Sequence, residues 1–382
     1  MRTEHEMFTL ILDVAKNDDR VRAVILNGSR ANKNAIKDIF QDYDIVYVVK
    51  ETKTFIEDKN WIDQFGKRLY MQYPEDNSYY PSNVNHCYGW LIQFTDGNRL
   101  DLHVCTLNHT LKVIIKDSLT KVLLDKDKSL PDIPPATDED YWVKKPSEKE
   151  FLDTCNEFWW CLNNVAKGLW REEIPYVMDM INKVVRPQLI YLLEWKIGYK
   201  TDFSVSVGKS GKYMYKWLEK TKWDMFLKTY SSGVIKDIWE AVFIMCDLFI
   251  LVAKEVACLL NFNYNIIEAN NSYKFLRTVY SLPKDAKEIF MSEKAVNLIG
   301  KCGFYCGSCP THASGKCPGC RTAHTKGDCF TFDCVDNQKI DYCGLCAKFP
   351  CDEIMTKEKA TVLDLRWLKW KRLQKDKMGG KL

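Results

Sequence analysis

The stretch from Leu26 to Val49, "LNGSRANKNAIKDIFQDYDIVYVV", places the tightest constraint on the fold. Its end, "IVYVV", is β-branched and aromatic and reads as a buried strand. Yet Asp42 and Asp44 sit in this apolar run, where aspartate is normally depleted. Residues i and i+2 of a strand point to one side, so the two carboxylates project together, about 7 Å apart at their Cα atoms. Neighbouring carboxylates repel, and one keeps its proton unless a cation lies between them. A divalent metal resolves the conflict. Magnesium favours a few carboxylates together with phosphate oxygens.

The turn upstream suits a phosphate. Gly28 lets the backbone come close, Ser29 offers a hydroxyl and an N–H, and Arg30 can add charge. Completing a metal site needs a third carboxylate, and Asp101 in "RLDLHV" is the best candidate. Leu100, Leu102 and Val104 face one way on that strand, and Asp101 and His103 face the other. "YGWLIQFTDGNRLDLHVCTL" reads as two strands joined at Asp96–Gly97. A lone Asp-x-Asp is more often a polar strand end. The preceding glycine–serine turn and the later strand-borne carboxylate favour the metal reading. His103 is expected to support the site rather than to react.

This constellation resembles the nucleotidyltransferase superfamily: Gly-Ser, then Asp-x-Asp, then a carboxylate on a neighbouring strand. "AVILNGSRANKNAIKDIFQDYDIVYVV", "YGWLIQFTDGNRLDLHV" and "EFWWCLNNVAKGLWREEIPYVMDMIN" are similar to the aminoglycoside 6-adenylyltransferases, also called streptomycin adenylyltransferases. The likeness runs over roughly residues 1–285. It implies an α+β chain. A catalytic domain with the nucleotidyltransferase mixed sheet and flanking helices spans 1–135, and a helical acceptor-binding bundle spans 136–290. It also implies magnesium-dependent transfer of AMP from ATP to a hydroxyl of streptomycin or a related aminoglycoside, releasing pyrophosphate. Asp42, Asp44 and Asp101 are then the catalytic, metal-holding carboxylates. Whether Asp101 is general base or third ligand stays open. Gly28, Ser29 and Arg30 would bind the nucleotide.

The helical part follows a linker, "LPDIPPATDEDYWVKKPSEKE", in which Ser147 and Glu150 match a capping box. Apolar residues then recur at spacings of three and four. Pro175 is expected in the first turn of one helix, and Pro187 at the start or kink of another. Aminoglycosides are polycations, so their site needs acids and flat surfaces. "GLWREEIPYVMDM" supplies Trp170, Glu172, Glu173 and Asp179. Glu172 and Asp179 share a face if the helix is continuous, which Pro175 puts in doubt. Trp170 can stack on a guanidinium. The plainer alternative is a solvated acidic helix start with Trp170 in the core. Phe158, Trp159 and Trp160 read as core. "VGKSGKYMYKW" fails as a Walker motif because Phe203 stands where a glycine is needed. Lys209 and Lys212 can still reach ATP phosphates.

Ten of the sixteen cysteines fall between Cys302 and Cys351. The chain has no apolar run near the ~20 residues of a membrane span and no secretory pattern at its start. The cytoplasm is therefore expected, and in that reducing compartment clustered cysteines read as metal ligands before disulfides. The pairs Cys306/Cys309, Cys317/Cys320 and Cys343/Cys346 have the CxxC spacing of zinc sites. With Cys302, Cys329, Cys334 and Cys351, and with His312 and His324 nearby, they can supply two four-coordinate sites. Residues 291–382 are thus expected to be a small cysteine-rich domain with structural zinc. An iron–sulfur cluster and a disulfide framework are the alternatives. The region resembles a small bacterial family with "CGxYCGxC", "CPGC" and a "CxxFPC"-like end, of no settled function. The known adenylyltransferases usually stop before such a tail. Its end, "EKATVLDLRWLKWKRLQKDKMGGKL", reads as a basic amphipathic helix that frays at the glycines.

Two other functions stay open. One is nucleotidyl transfer to another small molecule, RNA or protein. The other makes the tail a zinc-dependent module that recruits a protein partner. The net charge of +4 is small for 382 residues and disfavours nucleic acid.

Overall fold

The computed structural model describes residues 1–289 and, between 298 and 379, all but 307, 308, 310, 311, 313, 326, 328, 347, 359, 360 and 362. The side chains of Arg321 and of 374–379 are likewise not described. The expected boundary at 290/291 and the terminal Gly380 lie outside the described residues. The chain forms two compact units, Met1–Tyr273 and Lys274–Leu382.

The first unit opens with helix α1 (Glu4–Asn17). Thr3 and Glu6 close a capping box at its start. Met7, Ile11 and Ala15 recur every fourth residue and form its buried stripe. Six strands follow: β1 (Val21–Asn27), β2 (Tyr43–Val49), β3 (Arg68–Gln72), β4 (Cys87–Phe94), β5 (Arg99–Thr106) and β6 (Lys121–Asp125). They form one mixed sheet in the order β3-β4-β5-β2-β1-β6. Only β2 and β5 pair in parallel. Alternation sorts the β2 side chains. Tyr43, Ile45, Tyr47 and Val49 join the α1 core, and Val46 and Val48 join Ala23, Ile25 and Cys105 on the opposite face. Asp44 shares that second face. The β4–β5 hairpin turns at Gly97, whose φ of 90° suits glycine.

The helices of this unit after the sheet are α4 (Glu148–Arg171), α5 (Ile174–Met180), α6 (Arg186–Lys200), α7 (Lys220–Leu227) and α8 (Ile235–Leu260), with α9 (Ile266–Ser281) crossing into the second. Two short helices, α2 (Lys53–Glu57) and α3 (Leu107–Lys112), flank the strands. The Ser147–Glu150 capping box forms as expected. Pro175 sits in the first turn of α5, and Pro187 follows a π-helical turn (Ile181–Val185) through which α5 continues into α6. Phe158 stacks on Phe249 of α8 at 3.6 Å between ring centroids, and Trp159 packs beside them. Trp160 does not share this core. It is 69% exposed, because one further residue turns the helix by about 100° and carries the ring outward. Nor is the acidic stretch one continuous helix. The chain takes a left-handed conformation at Glu172 (φ 66°) and restarts at Ile174. Glu172 and Asp179 therefore share no helix face.

Candidate active site

The parallel pairing of β2 with β5 sets the site. Its register puts Asp44 directly opposite Asp101, while Asn27 of β1 lies opposite Asp44 on the other side. Asp42 precedes β2 by one residue. One carboxylate oxygen from each of Asp42, Asp44 and Asp101 falls within 4.8 Å of the others. Asp101 is 9% exposed. Arg99 grips it through two bonds, Nε to Oδ1 at 2.8 Å and Nη2 to Oδ2 at 2.6 Å. Its Nε also stands 3.9 Å from Asp42. Burial, and then the charges of Asp42 and Asp101, push the Asp44 carboxyl up to about 7. Here the repulsion expected for paired carboxylates falls on a specific residue.

The turn after β1 closes onto this carboxylate. Gly28 has φ 67°, and a Cβ there would stand 2.9 Å from Asp44 Cγ and closer still to its Oδ2. Only glycine fits. Ser29 follows in a short 3₁₀ turn (Gly28–Arg30), and its Oγ is buried without a hydrogen-bond partner. A buried hydroxyl left unpaired is costly, so an external acceptor is the natural complement.

Arg30 faces the segment that precedes β2. Its guanidinium donates to the backbone oxygens of Gln41 (2.7 Å) and Asp42 (2.8 Å) and lies 3.7 Å from the Tyr43 ring centre. These bonds turn it toward the loop that carries Asp42. Lys209 borders a hollow of about 700 Å³ in the helical part, and Lys212 lies against the Tyr213 ring. No described contact joins either lysine to the carboxylates. Glu172 and Glu173 are exposed at the α4–α5 corner, Trp170 is half-buried, and Asp179 pairs with Lys183 at 2.5 Å.

Three features escaped the sequence reading. Arg99 could have been found, since it stands two residues before Asp101 and so shares its side of β5. Glu75 carried no local signal. It lies between β3 and β4, and its Oε1 comes within 3.5 Å of His103 Nε2. The ring of His103 occupies the space over Gly89, where a Cβ would meet its Nε2 at 2.6 Å. Burial opposes charge on Glu75, yet His103 and backbone N–H groups hold its carboxyl below the ordinary range. His103 lies two residues after Asp101 on the same side of β5. The third feature is the hollow at Lys209, also lined by Trp142, Asp153, Tyr191, Glu194 and Trp195. Burial pushes the Glu194 carboxyl up to about 7.

Among the described residues, one other group holds three ligand atoms within 4.8 Å: Cys87, Cys105 and His109. Cys87 and Cys105 face each other in register across β4 and β5, and their sulfurs are bonded. The ten tail cysteines form no group that tight.

Comparison with known proteins shows the family. Residues 1–279 match the family described as streptomycin adenylyltransferase. The aminoglycoside 6-adenylyltransferase of Bacillus subtilis (strain 168) is 40% identical over 265 residues, covering 69% of this chain and 93% of that protein. The enzyme of the same name from Staphylococcus aureus is 35% identical, covering 73% and 99%. That from Campylobacter jejuni is 38% identical, covering 72% and 96%. A crystal structure of an aminoglycoside 6-adenyltransferase from Bacillus subtilis aligns with 74% of this chain and all of its own, at 35% identity and a TM-score of 0.37. The matched family region stops at residue 279 and leaves the cysteine-rich tail outside it. By this match across most of its length, the chain belongs to the streptomycin adenylyltransferase family and so to the nucleotidyltransferases.

Proposed function

We propose that this chain transfers AMP from ATP to a hydroxyl of streptomycin or a related aminoglycoside, with magnesium, releasing pyrophosphate. The observation that carries the reading is the convergence of Asp42, Asp44 and Asp101 within 4.8 Å, in a member of this family. The three fit a hard divalent cation: they offer only oxygen donors, and burial beside the Asp42 and Asp101 charges raises the Asp44 carboxyl to about 7. Bound there, magnesium would neutralise charge on the transferring phosphoryl group. Asp42, Asp44 and Asp101 would hold it. Ser29 would donate its unpaired hydroxyl to a phosphate oxygen, and Gly28 gives the phosphate close access to the backbone. The acceptor hydroxyl attacks the α-phosphorus in line, and the bond to pyrophosphate breaks. Asp101 serves as third ligand or takes the hydroxyl proton, and Arg99 fixes its orientation.

The acceptor is a polycation. Trp170, Glu172, Glu173 and Asp179 are assigned to its recognition, with the hollow around Glu194 and Tyr191 as the rival location. Lys209 and Lys212 remain assigned to ATP phosphates. The domains are taken as 1–135, 136–290 and 291–382, the last a zinc-stabilised module in a cytoplasmic enzyme. Among the described residues no helix is long and apolar enough to cross a membrane. A tail outside the family match also suits a partner-binding module, which does not conflict with catalysis elsewhere. The test is incubation with labelled ATP and a panel of aminoglycosides, followed by mass spectrometry. A product heavier than streptomycin by one adenylyl group (AMP less water) supports the reading. Labelled RNA or protein with unmodified drug would replace it.

A further inference from the structure

We infer that the ten tail cysteines divide into two separate metal sites: a closed four-thiolate site from Cys334, Cys343, Cys346 and Cys351, and a second in a neighbouring cavity anchored on Cys306 and Cys320. This division rests on the zinc reading of the tail proposed above.

The first set is drawn together by packing. Cys343 is buried in a small apolar cluster with Val335 and Ile354, and Cys351 packs against it. Cys334 lies on the helix Phe330–Asn337. The Gln338 side chain joins Cys334 to Cys346: its Nε2 donates to Cys334 Sγ at 3.3 Å, and its Oε1 accepts from Cys346 Sγ at 3.4 Å. One short side chain therefore spans the two sulfurs. Cys343 and Cys346 stand at the CxxC spacing that lets a loop bring two thiolates to one tetrahedral ion.

The second set surrounds a cavity of about 300 Å³. The other six tail cysteines and both tail histidines line it, while none of the first four does. Gly300 marks where the sulfurs converge. A Cβ at that point would lie 2.7 Å from Cys320 Sγ and 3.6 Å from Cys306 Sγ. The backbone N–H of Lys301 donates to Cys320 Sγ at 3.0 Å. His312 Nδ1 is 2.7 Å from the carbonyl oxygen of Cys317. With Nδ1 as donor, the ring keeps Nε2 free of its proton, the arrangement in which ligating histidines are usually oriented.

The two sets also meet. Cys343 N–H donates to the Lys301 carbonyl at 2.7 Å, so Lys301 faces Cys320 through its N–H and Cys343 through its oxygen. No three tail sulfurs stand within 4.8 Å among the described residues, so binding must draw each set closer. Zinc, with its preference for tetrahedral thiolate and imidazole, is the ion this donor set suits.

The test uses the full chain loaded with zinc, then with cobalt(II), whose visible bands report sulfur against nitrogen ligation. Metal analysis is expected to give about two zinc ions per chain. Cys346→His should keep both ions and shift about half of the cobalt band intensity. Cys320→His should shift the other half, and the double variant should show both shifts in full. One ion per chain, or both single variants moving the same bands, would overturn the division while leaving zinc in place. A chain that holds iron, or no metal with its tail cysteines in disulfides, would overturn the zinc reading itself.

Discussion

Gly28 and Asp44 are packed so closely that the turn and the carboxylate exclude any side chain between them. A Cβ on Gly28 would sit 2.9 Å from Asp44 Cγ. Gly28→Ala must therefore displace either the turn after β1 or the Asp44 carboxylate. Displacements of about 1 Å in such sites cost on the order of 100-fold in rate. We expect turnover to fall by at least about that factor, with circular dichroism unchanged. Turnover within about threefold of the parent would show that the close approach is dispensable.

Asp44 couples the site to pH. Its folded-state carboxyl titrates at about 7, above the ordinary 3.8, so the folded chain keeps a proton that the unfolded chain releases. In metal-free protein this contribution to stability is complete below about 4 and is lost as pH rises toward 7. Glu194, also raised to about 7, adds to the same slope. Asp44→Asn should flatten part of it, raise the metal-free melting temperature at pH 8, and cut turnover by orders of magnitude. Magnesium should stabilise the parent more at pH 8 than at pH 6, and the variant at neither. A variant with near-parental turnover would end the metal assignment.

Ser29 offers a cleaner separation of binding from folding. Its Oγ has no intramolecular partner, so Ser29→Ala breaks no internal bond. Thermal stability should stay within about 0.5 kcal/mol of the parent, while kcat/KM for ATP falls roughly tenfold. A lower melting temperature with unchanged ATP kinetics would make the hydroxyl structural.

The proposed aminoglycoside acceptor has two candidate acidic surfaces. Charge reversal at Glu172, Glu173 or Asp179 should raise KM for streptomycin more than KM for ATP. Glu194→Gln reports on the hollow beside Tyr191 and Trp195. If only Glu194→Gln moves the drug's KM, recognition shifts from the α4–α5 corner to that hollow.

The tail is expected to be separable from catalysis. All three carboxylates and both acidic surfaces precede residue 273, within the first compact unit. A chain ending at Asp285, after α9, should retain adenylyl transfer and lose its zinc. If metal binding in the cysteine-rich tail is coupled to folding as proposed, a strong chelator should unfold the region from Lys294 onward in the full chain and spare the rest. A well-folded truncated chain without activity would assign the tail a part in the reaction.

Much of this protein was determined locally. Period-two alternation put Asp42 and Asp44 at a strand, sent Asp101 and His103 to one face, and sent Leu100, Leu102 and Val104 to the other. Glycine at φ 90° made the 94–99 hairpin, and paired serine and glutamate made the α4 cap. Such features depend on neighbours within a few residues, so they are visible in the chain as written. What needed the tertiary structure were relationships between distant segments. The β2–β5 register decided that Asp44 faces Asp101. Backbone oxygens at Gln41 and Asp42 decided which way Arg30 turned. The segment between β3 and β4 delivered Glu75 to His103, and α8 took Phe158 and Trp159 but left Trp160 in water. A side chain's direction and charge state depend on what the rest of the chain brings beside it, and local periodicity holds no record of that.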